Sequence, residues 1–270
     1  MDTSNCPIGI FDSGIGGLTV ARAVNLALPN ESIVYFGDTA HLPYGDKSPR
    51  SIRYYSEKIS SFFIEKNCKA IIVACNSASS IAFDHLLNLF SDKTLLINVI
   101  DPVVEHVGER KELKTIGVIG TKTTIQSNVY HNKLKAINPD LNINSLPASL
   151  LVPMIEEGFV NCDLSTRIIS QYLSDKMFDE VDALILGCTH YPIIKNEIEN
   201  YFSKKVHIFD SAAIVAEYVR SCLNKKGILS KNNLNPNHKF YVSDYTPFFE
   251  NTTRIFFGQK VHLELFSMWD

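Results

Sequence analysis

Several things are scarce or missing in this sequence, and each absence narrows the reading. No apolar run approaches the roughly 20 residues that a membrane-spanning helix needs, which speaks against a helical membrane protein. Neither sign of charge dominates: 26 Lys+Arg against 29 Asp+Glu leave a formal net charge of −3, so nucleic acid finds no electrostatic footprint. The opening Met1-Asp2-Thr3-Ser4-Asn5 has neither a basic region nor a long apolar core, and export is not expected. The short stretch ahead of Phe11 likewise speaks against an added regulatory segment. Cysteines are few, at 6, 68, 75, 162, 188 and 222, and no two form a CxxC pair. Reduced thiols in a cytoplasmic compartment are the expected state. Gly14-Ile15-Gly16-Gly17 lacks the full GxGxxG spacing, so a dinucleotide site is not indicated.

What is present is 45% hydrophobic and 20% charged content over 270 residues, enough for two ordinary domains of roughly 100–150 residues. Two stretches look like copies of one idea. They are Ala70-Ile71-Ile72-Val73-Ala74-Cys75-Asn76-Ser77-Ala78 and Ala183-Leu184-Ile185-Leu186-Gly187-Cys188-Thr189-His190-Tyr191. Each is an apolar run, a small residue, a cysteine, then a hydroxyl or amide side chain. Such a run suits a strand buried on both faces of a parallel sheet. Ligand sites in open α/β sheets lie just past the carboxyl ends of these strands. The copying extends upstream, where residues 8–14 match 116–122 at an offset of 108, and the two cysteines lie 113 apart (75 to 188). Two related halves facing each other would place one thiol on each side of a shared cleft.

Strand and helix signals alternate, which predicts an α/β architecture of parallel sheets with helices on both faces. Strands are expected at 8–11, 33–36, 70–74, 95–99, 115–119, 142–146, 182–186, 206–209, 239–242 and 261–265. Helices are expected at 18–28, 49–66, from Ser77, at 124–136, after Pro153, at 163–177, and at 212–223 behind an Asp210 cap. Pro43 and Gly45 make 37–45 a turn-rich loop, and 227–238 reads as a polar surface loop. Asp101-Pro102 breaks the pattern and marks a crossing between domains. The expected division is 1–100 plus 211–270 for the first domain and 101–210 for the second.

Cys6, Cys68, Cys162 and Cys222 read as small buried hydrophobes. Cys75 and Cys188 differ, because each ends a strand and is expected to precede a helix, whose amides and dipole favour thiolate. Asp12 either caps the tight turn at Gly14-Ile15-Gly16-Gly17 or faces the thiols or a substrate ammonium. That turn itself offers backbone N–H groups to an anion. His190 is a more economical proton partner for Cys188 than a metal ligand, since zinc needs further ligands that no spacing supplies. No metal is expected. Asn76, Ser77, Thr121, Thr124 and Thr189 are each capable of capping, and together they suit recognition of carboxylates.

Phe11-Asp12-Ser13-Gly14-Ile15-Gly16-Gly17, Pro43-Tyr44-Gly45, Ala74-Cys75-Asn76-Ser77-Ala78, Gly120-Thr121 and Gly187-Cys188-Thr189-His190-Tyr191 resemble the glutamate racemase family, over essentially the whole chain. Ser77 departs from the threonine usual in that family, keeping the hydroxyl and losing a methyl. The resemblance implies cofactor-independent interconversion of L- and D-glutamate, supplying D-glutamate for peptidoglycan. It also implies two similar domains related by a pseudo-twofold axis with the active site between them, and a homodimer whose geometry no residue decides. Cys75 would take the proton from D-glutamate and Cys188 from L-glutamate, with His190 assisting Cys188 and Asp12 assisting on the Cys75 side. Ser13, Pro43, Tyr44, Gly45, Asn76, Ser77, Thr121, Thr124, Thr189 and His190 would line the pocket. Glu156, beside Glu157, stands where the family has a further acidic residue. Aspartate racemase is the runner-up, although it usually carries glutamate where this chain has His190. A carboxylate-binding or thiol-redox protein is the reading outside enzymes.

Racemisation must remove a weakly acidic α-proton and return one to the opposite face. Two positioned acid–base groups achieve this without turning the substrate. A thiol, with an ordinary pKa near 8.5, serves as base or acid close to neutrality. A carboxylate beside it raises that value, so Asp12 is expected to accept a hydrogen bond from Cys75 or from the substrate ammonium. No Schiff-base lysine is evident, so hydrogen bonds must stabilise the carbanion.

Overall fold

The computed structural model describes residues 3–231 and 236–269. Residues 232–235, within the expected loop 227–238, lie outside the described residues. In chain order the strands are β1 (Ile8–Asp12), β2 (Ile33–Gly37), β3 (Ala70–Val73), β4 (Leu95–Asn98), β5 (Thr115–Gly120), β6 (Asn142–Pro147), β7 (Ala183–Gly187), β8 (His207–Phe209), β9 (Lys239–Val242) and β10 (Glu264–Leu265). The helices are α1 (Leu18–Ala27), α2 (Pro49–Glu65), α3 (Asn76–Phe90), α4 (Asp101–Gly108), α5 (Lys122–Gln126), α6 (Val129–Ile137), α7 (Leu151–Glu156), α8 (Asp163–Leu173), α9 (Lys195–Tyr201), α10 (Ser211–Lys225) and α11 (Pro247–Phe257). The apolar runs β1, β2, β3 and β7 are buried at every residue, as parallel strands under helices on both faces must be.

One sheet has the order β10-β9-β2-β1-β3-β4 and the other β6-β5-β7-β8, and all pairings are parallel. The segment β2-β1-β3-β4 repeats as β6-β5-β7-β8. The sequence repeat is therefore a repeat of topology, with β1 matching β5 and β3 matching β7. Strand order reverses beside β1 and beside β5, which opens a crevice past their carboxyl ends. The loops carrying Asp12, Cys75, Thr121 and Cys188 all emerge there.

The late strands join the first sheet as expected, β9 pairing with β2 from Val34↔Lys239 to Gly37↔Val242. The strand expected at 261–265 narrows to Glu264–Leu265 because it sits at the edge with β9 as its one neighbour. Val261 and Leu263 are buried without joining the ladder. The helix expected at 124–136 is two helices, broken where Asn128 takes φ 54°, a left-handed conformation that asparagine tolerates. Pro153 lies inside α7 rather than before it. In a helix's first turn its missing N–H needs no partner. Cys188 leads into a 3-10 turn over Tyr191–Ile194, and α9 starts only at Lys195.

α10 packs on both α1 and α4. One apolar core runs continuously from Ile8, Ile10 and Leu18 to Leu184, Leu186 and Val219. Each such side chain contributes roughly 1.5–3 kcal/mol on full burial, so the two sheets are joined mainly by apolar burial. No helix among the described residues is long and apolar enough to cross a membrane.

Candidate active site

β1 delivers Asp12 into the turn that begins α1. Its Oδ2 accepts from the Gly14 N–H at 3.2 Å and the Gly17 N–H at 3.0 Å, while Oδ1 is buried without a partner. Burial holds this carboxyl above the usual carboxylate range. The charge of His190 and the amides of Gly17, Gly14 and Ser13 work against that shift. Gly17 is required here, since a Cβ would collide with the Asp12 side chain.

Cys75 is the N-cap of α3, and its thiol donates to Ser13 Oγ at 3.7 Å. Burial first, and the Asp12 charge second, push the thiol up to about 12; the Ala78 N–H and Ser13 hydroxyl only partly offset them. The expectation that the helix N-terminus favours thiolate fails for this reason: desolvation plus a neighbouring carboxylate outweigh the helix amides. Asp12 also does not accept from Cys75, because Ser13 takes that role and the loop amides hold Oδ2.

On the opposite wall, Cys188 Sγ lies 3.8 Å from His190 Nδ1, and His190 Nε2 lies 2.9 Å from Glu156 Oε1. Of the two adjacent glutamates, Glu156 is the one that reaches the site. Burial pushes the imidazole down, yet hydrogen bonds and charge from Cys188 and Glu156 prevail and hold it up at about 10. A Cβ on Gly16 would strike the His190 ring, so the Asp12 turn and the Cys188 loop are in direct contact. Thr19 reinforces the contact, its Oγ1 lying 2.9 Å from both the Gly16 and Thr189 carbonyls.

Polar side chains close the remaining walls. Ser77 Oγ meets Thr121 Oγ1 at 2.9 Å across the two halves. Thr121 caps α5 by accepting the Thr124 N–H at 3.2 Å, with Thr124 Oγ1 at 3.0 Å. Asn76 Oδ1 accepts from Tyr130 at 2.8 Å, which leaves Asn76 Nδ2 buried with no partner. Thr123 Oγ1 donates to the Gly45 carbonyl at 2.8 Å. The Tyr44 hydroxyl is engaged elsewhere, donating to Asp38 Oδ2 at 2.6 Å.

Both thiols face one cavity of about 30 Å³, lined also by Ser13, Pro43, Tyr44, Gly45, Asn76, Ser77, Thr121, Val152, Thr189 and His190. That is room for little more than a water or two. A second cavity of about 270 Å³ lies outside it and shares Pro43, Gly45, Thr121 and Val152, with Glu156 on its wall. Asp12 and Thr124 stand behind the inner cavity rather than on it. Sequence reasoning missed Thr19, Val152 and Tyr130, which sit on helices without any local mark. It also missed Asp38, although Asp38 directly follows β2 much as Asp12 closes β1. The constellation pairs a thiol beside a carboxyl with a thiol beside an imidazole. An unpartnered acceptor, Asp12 Oδ1, and an unpartnered donor, Asn76 Nδ2, accompany them, which matches a small molecule bearing both ammonium and carboxylate.

The Asp/Glu/hydantoin racemase family matches residues 17–219. Over 267 residues, 98% of both chains, the sequence is 40% identical to the glutamate racemase of Chlorobaculum parvum. The fold is similar to that of Francisella tularensis glutamate racemase in complex with D-glutamate, with a TM-score of 0.92 and 39% identity over 98% of this chain and 99% of that one. A Bacillus anthracis glutamate racemase isoform matches with a TM-score of 0.91 and 33% identity over 97% and 98% of the two chains. The chain belongs to the Asp/Glu/hydantoin racemase family, and within it to the glutamate racemases.

Proposed function

We propose that this protein interconverts L- and D-glutamate by proton transfer between Cys75, Cys188 and the substrate α-carbon, supplying D-glutamate for peptidoglycan. The observation that carries the reading is that both thiols face one cavity, Cys75 beside Ser13 and the charge of Asp12, Cys188 beside His190. From D-glutamate, the Cys75 thiolate takes the α-proton: the C–H bond breaks, an S–H bond forms, and the electron pair stays on the α-carbon. Cys188 then gives its S–H proton to the opposite face. From L-glutamate the roles reverse.

Cys75 rests as a thiol. The substrate ammonium, arriving beside Cys75 in front of Asp12, supplies the opposite charge that brings its pKa down. His190, held by Glu156, stands beside Cys188 as its proton partner. Asn76, Ser77, Thr121 and Thr189, with the backbone of Ser13 and Gly45, bind the carboxylates and hold the charge that develops on the substrate. Thr124 supports Thr121. The halves 1–100 plus 211–270 and 101–210 act as two domains around this site, in a cytoplasmic homodimer whose mass light scattering would check.

Racemisation started from pure L-glutamate in heavy water is the decisive measurement. Two thiols predict early D-glutamate carrying deuterium at the α-position while recovered L-glutamate stays protiated. Return of the original proton to product would show one swinging base instead. Activity should survive dialysis against a chelator. Aspartate is the second candidate substrate, and we expect its kcat/KM to be at least roughly tenfold lower, because a shorter acid leaves buried donors unpaired. Equal values for the two acids would overturn that choice.

A further inference from the structure

We propose that residues 266–269 form a latch in which Trp269, acting through Asp38, positions the Pro43-Tyr44-Gly45 wall of the cavity. The inference rests on reading that cavity as the glutamate site. Asp38 is wholly buried, and four side chains converge on its carboxylate, two from its own loop and two, Ser243 and Trp269, from far along the chain. Oδ1 accepts from Trp269 Nε1 at 2.9 Å and Ser243 Oγ at 2.7 Å. Oδ2 accepts from Tyr44 at 2.6 Å and lies 3.0 Å from His41 Nδ1. The Trp269 ring meets His41 and Tyr55 edge-on, with centroids 4.7 and 5.4 Å apart. Phe266 anchors the same segment between Phe36 and Phe62.

A buried carboxylate is stable only when donors satisfy both oxygens. Losing the indole N–H leaves Oδ1 with Ser243 Oγ and the His41 ring nitrogen at 3.1 Å, and the carboxylate re-aims toward these remaining donors. Tyr44 moves with it, since their bond is the shortest of the set. Its neighbour Gly45 lies against Thr121, so the motion reaches a binding wall. Neither thiol nor His190 hydrogen-bonds to this network. Trp269 is therefore a positioning residue whose loss weakens binding and leaves the proton transfer largely intact.

Trp269→Phe should raise KM for both glutamate enantiomers roughly three- to tenfold while kcat stays within about twofold. Tyr44→Phe, which removes one oxygen atom, should raise KM similarly, and the double variant should be no worse than either single one. Phe266→Leu, which loosens the anchor of the same segment, should lower the thermal midpoint and raise KM in the same direction as Trp269→Phe. An unchanged KM in Trp269→Phe, an equal fall in kcat, or multiplying effects in the double variant would each overturn the latch. Should Trp269→Phe not fold, an unchanged KM in Tyr44→Phe overturns it alone. Trp269 is the only tryptophan, so its fluorescence reports the latch without any turnover. In Tyr44→Phe the emission should become more readily quenched, and unaltered quenching counts against the latch. If the native protein racemises no glutamate, the proposed substrate fails and this fluorescence test still decides the latch.

Discussion

Cys75 and Cys188 occupy equivalent positions in the two halves, yet their surroundings differ: Ser13 and Asp12 on one side, His190 and Glu156 on the other. On the proposed mechanism, Cys75→Ser and Cys188→Ser should each lower racemisation in both directions by roughly 100-fold or more, since an alcohol is a far weaker acid than a thiol. Each variant should still exchange the α-proton of the one enantiomer facing its intact cysteine, which proton NMR in heavy water would detect. The His190–Glu156 pair sets a pH limit. The imidazole is raised from 6.5 to about 10, so its contribution to stability is complete below about pH 6.5 and is lost as pH rises through about 10. Glu156→Gln removes one of the groups holding it up. The alkaline limb of the kcat/KM profile should then move toward neutrality, and an unmoved limb would show that Glu156 does not govern His190.

Between elements, the turn after β1 is pressed against the loop after β7. Gly16→Ala would drive a methyl group into His190. A displacement of about 1 Å costs on the order of 100-fold in rate, so kcat should fall to that extent while the far-ultraviolet dichroism stays native. Thr19→Val removes the hydroxyl shared by the Gly16 and Thr189 carbonyls. Leaving a buried acceptor unpaired costs about 1–3 kcal/mol, which urea denaturation should register. Full stability in that variant would mean that the two loops are held by packing alone.

Across the whole molecule, the inner cavity is too small for an amino acid and is divided from the outer one by Pro43, Gly45, Thr121 and Val152. Substrate therefore has to part these walls. Saturating D-glutamate should slow amide hydrogen exchange in the turn over residues 43–46 and in α7, and unchanged exchange there would place the substrate's path elsewhere. The apolar core continuous between the sheets predicts a single calorimetric transition on heating rather than one for each half.

The sequence alone determined the positions of the buried strands and the repeat, because parallel strands buried on both faces must be unbroken apolar runs and their ends carry the reactive loops. It also marked the two cysteines, Asp12, Ser77, Thr121 and His190, which lie in short motifs at those strand ends. Tertiary structure decided what each group experiences. The pKa of Cys75 depends on burial and on a carboxyl 63 positions away in the chain (12 to 75), against which the local helix end is weak. Thr19, Val152, Tyr130 and Asp38 meet the site only because helices and turns from separate segments converge there. Nothing in a helix's own sequence says which of its polar or apolar side chains another loop will reach. Desolvation and long-range hydrogen bonds are properties of the packed chain, and only the packed chain reveals them.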